Sequence, residues 1–183
     1  MNWVLALPVL VPFVGAAISL LLPRNYRVQR VVGMSSLGIV LAASVVILWH
    51  SRLGPFVLDV GGWAAPVGIS LVADRLSALM LLVSVFVTLC VMIYSSSEVF
   101  EDDRVPLSVF YPTFLILSAG VSNSFLTGDL FNLYVGFEIL LVSSFVLIML
   151  GGTRDRLRSG TVYVVVSMVS SSIFLIALAM VYA

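Results

Sequence analysis

Residues 130–150 read LFNLYVGFEILLVSSFVLIML, a run of about 21 residues whose single charged side chain is Glu138. An α-helix needs about 20 apolar residues to cross a bilayer, so this run predicts a transmembrane helix. At about 1.5 Å per residue, Glu138 lies roughly 12 Å below the start of the run, near the middle of the membrane. A carboxylate at that depth costs about 2.5–3.5 kcal/mol on insertion scales, so an acid placed there indicates an ion or proton pathway.

Five further apolar runs of similar length accompany Leu130–Leu150. They are Asn2–Leu22, Val31–His50, Leu76–Tyr94, Val105–Phe125 and Thr161–Ala183. The chain is 61% hydrophobic and 10% charged, which is more apolar surface than a soluble domain of this length can bury. We therefore predict an all-α membrane protein with six transmembrane helices in a single membrane domain, residues 1–183. The first run has no basic segment before it, so we interpret it as a helix rather than a signal peptide.

Residues 56–72 differ from the other connections. Short β-branched stretches flank Gly61, Gly62 and Pro66, which predicts a small β-hairpin between the second and third helices. Because an isolated hairpin is marginally stable, we expect it to lean on neighbouring protein.

The arginines predict the orientation of the chain. Loops 23–30, 95–104 and 151–160 hold seven of the nine arginines, whereas the other side has only Arg52 and Arg75. The positive-inside rule places these three loops in the cytoplasm and the N-terminus and hairpin outside. Loop 95–104 is also acidic, which fits either a solvated loop or a surface that gathers cations. Gly160, at the end of loop 151–160, predicts a helix boundary.

Partners for Glu138 are scarce within its own helix. Tyr134 is the one polar neighbour on the same face, either as a packing residue or as a hydroxyl that steadies the acid. No basic residue lies inside any of the six runs. Glu138 is therefore either protonated most of the time or paired with a base from elsewhere.

Other polar residues carry two interpretations each. Ser170 and Ser171 belong to a helical stripe with Tyr163 and Ser167, and they serve either helix packing or a water-filled path beside Glu138. Asp129 immediately precedes the fifth run, where it either caps the helix or lies at the outer mouth of an ion path.

Several classes of function are disfavoured. Nine basic and nine acidic residues cancel, so no net charge attracts nucleic acid. Cys90 and His50 are the only residues of their types, which disfavours a disulfide or a metal site built on them. With no phosphate-binding glycine loop or nucleophile–base constellation, we predict no cofactor and no enzymatic chemistry.

The stretch LTGDLFNLYVGFEILL (residues 126–141) resembles the D subunit of the multisubunit sodium/proton (Mrp-type) antiporters, which are similar to the antiporter-like membrane subunits of respiratory complex I. The similarity continues through Gly151-Gly152-Thr153 and Val169-Ser170-Ser171-Ser172. The resemblance implies that Glu138 is a proton-relay carboxylate, that H⁺ and Na⁺ are transported, and that other subunits of a bacterial membrane complex are partners. It also implies a basic partner, a lysine on a later helix, and since this chain has no lysine we expect it to match the N-terminal portion of the family.

Two other functions remain open on the sequence. An antiporter-like pump subunit of complex I or of a membrane-bound hydrogenase would use the same chemistry around Glu138. A structural or assembly module that moves no ions is the third hypothesis.

Overall fold

A computed structural model describes residues 2–22, 26–63, 68–98 and 107–182. The described part contains six long helices and one two-stranded sheet. The helices are α1 (Leu7–Leu21), α2 (Tyr26–His50), α3 (Arg75–Glu98), α4 (Leu107–Leu126), α5 (Leu130–Met149) and α6 (Arg154–Tyr182). The strands are β1 (Phe56–Asp59) and β2 (Ser70–Ala73). Six helical segments are long and apolar enough to cross a membrane, which confirms the predicted fold class.

The first helix and the sixth helix differ from the prediction at a proline and at a glycine. Before α1 the chain forms a 3-10 turn over Asn2–Ala6. Pro8 has no N–H to donate to Val4 O, so the α-helical hydrogen-bond pattern gains little by extending back into this turn. The prediction that Gly160 marks a helix end is wrong, because this glycine lies inside α6 and is buried. A Cβ at this position would collide with the side chain of Met149, so the glycine lets α5 and α6 approach closely.

Two helices extend beyond their apolar runs into turns that contain charged residues. The second helix begins at Tyr26 rather than Val31, and the sixth at Arg154 rather than Thr161. Backbone hydrogen bonds continue through these polar turns, although hydropathy alone ends the run at the first arginine. The third helix continues to Glu98, so residues 95–98 of the predicted loop 95–104 are helical, and residues 99–104 lie outside the described part of the chain.

Helix α4 lies at the centre of the bundle, packed against α1, α2, α3 and α5. Helix α6 lies at the edge and packs on α5. Glycines bring α4 and α5 together, because a Cβ on Gly136 would lie 2.7 Å from Ser124 Oγ and 2.9 Å from Asn123 Nδ2. Small residues at helix crossings are typical of membrane bundles, where close backbone packing replaces the hydrophobic effect.

The predicted hairpin is present and packs on the bundle. Strands β1 and β2 are antiparallel, with Phe56 opposite Ala73 and Asp59 opposite Ser70. Leu71 and Ala73 are buried in the core beside Leu126. Ser70 O accepts a 2.8 Å hydrogen bond from Gly128 N, so the hairpin is joined to the turn between α4 and α5. We call this end of the bundle, with the hairpin and the α4–α5 turn, the hairpin end.

Candidate functional site

Glu138 lies between α5 and α6. It is the ninth residue of α5, and its side chain is partly buried. Ser171 on α6 donates a hydrogen bond from its Oγ to Glu138 Oε1. The contact joins two helices that run in opposite directions and are connected by residues 150–153. The one acid within the apolar length of α5 is therefore met by a hydroxyl from another helix.

A serine can serve both forms of a carboxyl group. Its O–H donates to a charged carboxylate, and its lone pairs accept from the O–H of a protonated carboxyl after the hydroxyl rotates. The contact between Ser171 and Glu138 is therefore compatible with proton gain and loss at the same place. Among the described residues, no basic side chain forms an ion pair with Glu138.

Three aromatic rings pack next to this contact, on the side of the hairpin end. The rings of Tyr134 and Phe174 stack with centroids 6.1 Å apart and planes 16° apart. Phe137 meets Phe174 edge-on at 6.3 Å. Tyr134 is one turn before Glu138 in α5, and Phe174 is one turn after Ser171 in α6, so these two rings lie one helical turn nearer the hairpin, whereas Phe137 directly precedes Glu138. We call Tyr134, Phe137 and Phe174 the aromatic layer.

A cavity of about 380 Å³ opens beyond the aromatic layer, between the hairpin and the ends of α5 and α6. Asp129 and Phe131 line it at the start of α5, and Leu178 and Tyr182 line it from α6. The order along the α5–α6 interface is thus the Glu138–Ser171 contact, the aromatic layer, and then the cavity. The stacked rings of Tyr134 and Phe174 thus lie between the depth of the acid and the depth of the cavity.

Asp129 caps α5 at the edge of this cavity. Its Oδ1 accepts a 2.6 Å hydrogen bond from Asn132 N, which is the N-cap interpretation made from its position. Its Oδ2 is buried and has no hydrogen-bond partner among the described residues. The carboxylate therefore has an acceptor atom to spare at the start of α5.

A pair of buried amides fixes α5 against α4. Asn132 Nδ2 donates to Asn123 Oδ1 at 3.2 Å, and Asn123 Nδ2 donates back to Asn132 Oδ1 at 3.2 Å. Asn132 Nδ2 also donates to Thr127 Oγ1 at 2.9 Å. Buried polar networks with every group paired hold one arrangement of the helices. The amide pair thereby fixes the start of α5, the helix that carries Glu138, against α4.

The structure separates the two serines that the sequence treats alike. Ser171 contacts the acid, whereas Ser170 is exposed and its Oγ donates to Val166 O of its own helix at 2.9 Å. Sequence reasoning did not single out Phe174 or Asn123. Phe174 looks like any apolar membrane residue, but the pairing of Asn123 with Asn132 had a signal, because both are amides inside or next to apolar runs.

No metal centre is found among the described residues, where no three His, Cys, Asp or Glu side chains come together. Cys90 is exposed on α3. His50 packs edge-on against Phe56 of the hairpin, with centroids 5.2 Å apart.

Two family models match the chain. Residues 58–97 match the N-terminus of NADH-ubiquinone oxidoreductase (complex I) chain 5, and residues 127–183 match the transmembrane model of NADH:quinone oxidoreductase and Mrp antiporters. Glu138, Ser171 and the aromatic layer all lie within the second match.

Curated relatives are similar over the whole chain. The D subunit of the Na⁺/H⁺ antiporter of Bacillus subtilis (strain 168) is 40% identical over 185 residues, covering 100% of this chain. The D subunit of the Na⁺/H⁺ antiporter of Alkalihalophilus pseudofirmus (OF4) is 37% identical over 183 residues, also covering 100%. The chain spans 37% of the length of each of these relatives.

Two solved structures have the same fold. The membrane-bound sulfane sulfur reductase, an archaeal respiratory membrane complex, matches with a TM-score of 0.90 at 25% identity, over 98% of this chain and 37% of that one. The Mrp complex from Dietzia sp. DQ12-45-1b matches with a TM-score of 0.88 at 31% identity, over 100% of this chain and 35% of that one. The chain therefore has the fold of the antiporter-like membrane subunits of NADH:quinone oxidoreductase and Mrp antiporters, and it is similar to the N-terminal portion of the antiporter D subunits.

Proposed function

We propose that this chain forms the Glu138-bearing part of a proton-translocating subunit in a multisubunit Na⁺/H⁺ antiporter. The observation that carries the proposal is the contact between Glu138 and Ser171 within two membrane helices. The relatives named as antiporter subunits supply the substrate class, H⁺ and Na⁺, and the expectation of partner subunits.

In this proposal Glu138 takes up and releases a proton inside the membrane. The cost of placing a charge there falls when a hydroxyl solvates it, and the Ser171 Oγ does so from α6. Transfer requires that both the charged and the neutral carboxyl are accessible at the working pH, and a partner that can donate and accept supports both. We propose that a basic residue from another part of the assembled complex exchanges the proton with Glu138, as the family resemblance implies.

The aromatic layer gives the relay a direction. Water in contact with Glu138 from both sides at once would let protons leak across the membrane. The stacked rings of Tyr134 and Phe174, on the side toward the hairpin end, support a barrier there. We propose that protons from that side reach Glu138 only when these rings separate, and that Asp129 lies at the mouth of this route.

The proposal includes the position of the protein in the cell. The relatives are bacterial, and the six apolar helices make the chain a multi-pass membrane protein. The arginine distribution supports a plasma-membrane orientation with the hairpin outside and loops 23–30, 95–104 and 151–160 in the cytoplasm.

The test is the replacement Glu138→Gln in the full-length subunit, assembled in its complex. The measurement is Na⁺-dependent proton movement in everted membrane vesicles, with subunit abundance checked in the same membranes. We expect Na⁺-dependent proton movement to be abolished with assembly intact, and Glu138→Asp to retain part of it because the acid is kept but shortened. Normal antiport by the glutamine variant would refute the proposal.

A second candidate is an antiporter-like proton-pumping subunit of a redox-driven complex. The structural similarity to the sulfane sulfur reductase and the complex I description of both family models favour it. Glu138 does not distinguish the two functions. Co-purification with redox subunits, and proton movement driven by electron transfer in the absence of Na⁺, would favour this candidate over the antiporter.

A further inference from the structure

A cleft between the end of α2 and the start of α3 carries two arginines at the hairpin end. It has a volume of about 510 Å³ and is lined by Leu48, Ser51, Arg52, Arg75 and Leu79. It lies away from the α5–α6 interface and shares no lining residue with the cavity near Asp129.

Both guanidinium groups are held in place over the cleft. The Arg52 Cζ lies 4.5 Å above the ring of Trp49, a cation–π contact. Arg75 Nη2 donates to the backbone O of Arg52 at 3.1 Å, which ties the two arginines together although they are 23 residues apart. A guanidinium has five N–H donors, so this one bond leaves donors of Arg75 available to a ligand.

Neither arginine is neutralised by a carboxylate among the described residues. The nearest acid in sequence is Asp74, and its Oδ1 accepts a 2.6 Å hydrogen bond from Ser77 N, which caps α3. Asp74 is thus engaged with its own helix, while Arg75 turns toward Arg52. Two fixed positive charges at one cleft favour the binding of an anion.

The cleft changes from charged to apolar along the membrane normal. Leu48 lies in the last turn of α2, four residues before Arg52, and Leu79 is one turn after Arg75 in α3, so both leucines lie about one turn deeper in the bilayer than the arginines. Trp49 is 68% exposed, at a position that suits the aromatic belt of the membrane interface. This combination matches the headgroup and the first acyl carbons of a phospholipid.

We propose that this cleft is a binding site for an anionic phospholipid. The phosphate lies between Arg52 and Arg75, and the upper part of an acyl chain lies along Leu48 and Leu79. An anionic headgroup such as glycerol phosphate is preferred over choline, because the choline cation would lie close to two guanidinium groups. The site is independent of proton transfer at Glu138.

The test uses the full-length subunit in its purified complex, in a non-ionic detergent. Phosphatidylglycerol or phosphatidylcholine is titrated in, and bound lipid is counted by native mass spectrometry. We expect Arg52→Gln and Arg75→Gln each to weaken phosphatidylglycerol binding about fivefold and the double variant about 25-fold, since each arginine near a membrane surface contributes on the order of that factor. Arg158→Gln, an exposed arginine at the other end of the bundle, is the matched control and should bind as the parent does.

Three outcomes would overturn the proposal: unchanged phosphatidylglycerol binding in the double variant, equal binding of the two lipids, or displacement of the lipid by inorganic phosphate at a similar concentration. The last result would show a site for a free anion. Leu79→Ala separates these cases further, because it should weaken phosphatidylglycerol binding and leave any binding of inorganic phosphate unchanged. These readouts concern lipid alone, so their failure leaves the role of Glu138 untouched.

Discussion

Removing the Ser171 hydroxyl should slow proton transfer at Glu138, and the neighbouring serine supplies a matched control. Ser171→Ala removes one hydroxyl at the interface of α5 and α6, and with it the hydrogen bond to Glu138 Oε1. Ser170→Ala deletes a hydroxyl of the same size whose bond is to Val166 O in its own helix. The two variants therefore differ in whether Glu138 loses a partner.

The size of the effect follows from the energy of one such hydrogen bond. Bonds to charged groups contribute about 1.5–3 kcal/mol in soluble proteins, and interhelical bonds in membranes reach about 1.7 kcal/mol. If the Ser171 hydroxyl contributes about 1–1.7 kcal/mol to stabilising the charge on Glu138 during transfer, its loss should slow proton transfer about 5- to 20-fold.

The assay is the initial rate of Na⁺-dependent proton movement in everted vesicles that contain the full-length subunit in its complex, measured over a range of pH. Ser171→Ala should lower the rate about 5- to 20-fold near the pH optimum of the parent, as the hydrogen-bond energy above implies. Ser170→Ala should follow the parent profile. If the two variants behave alike, the contact between Ser171 and Glu138 does not tune proton transfer and the reasoning is refuted.

Three further predictions concern the surroundings of the site. Phe174→Ala opens the aromatic layer and should raise the passive proton leak, measured without Na⁺, several-fold. Phe174→Leu keeps most of the side-chain bulk and should leave the leak unchanged. An equal leak in the two variants would count against a barrier at this position. Asn123→Leu and Asn132→Leu each leave a buried amide without its partner, and each should lower the stability of the complex by about 1–2 kcal/mol. The double variant should lose less stability than the sum of the two single losses. Strictly additive losses would mean that the two amides are not coupled. Asp74 accepts hydrogen bonds from Ser77, and these hold the pKa of the Asp74 carboxyl below its ordinary value of 3.8. The stabilisation that the carboxylate gives is therefore present above pH 3.8 and is lost as the pH falls through the lowered pKa. Asp74→Ala should lower the melting temperature near neutral pH, and a difference from the parent that does not shrink in acid would contradict this.

The sequence predicts the parts of this molecule that depend on one helix at a time. Run length and hydropathy are sufficient for six membrane helices, and one acid in an apolar run is sufficient to single out Glu138. Helix ends are predicted less well, because hydropathy stops at Arg158 while backbone hydrogen bonding continues to Arg154. Charge marks the edge of the apolar run, and it does not mark the end of the helix.

Contacts between helices are the part that the sequence leaves open. Ser170 and Ser171 lie at similar depths, and only the rotation of α6 against α5 decides which one meets Glu138. Phe174 acquires its place in the aromatic layer from that same rotation. Arg52 and Arg75 come together because the hairpin folds back between them, a tertiary event that spacing along the chain does not show.

The most direct test of the account is whether Glu138 itself changes its protonation during transport. Infrared difference spectra of the full-length complex, recorded as Na⁺ is added at constant pH, report the C=O stretch of protonated carboxyl groups. We predict a Na⁺-dependent carboxyl band that is absent from Glu138→Gln and retained in Asp129→Asn, because replacing Asp129 at the mouth of the route leaves the Glu138 carboxyl in place. A band that persists unchanged in Glu138→Gln would contradict the claim that Glu138 carries the proton.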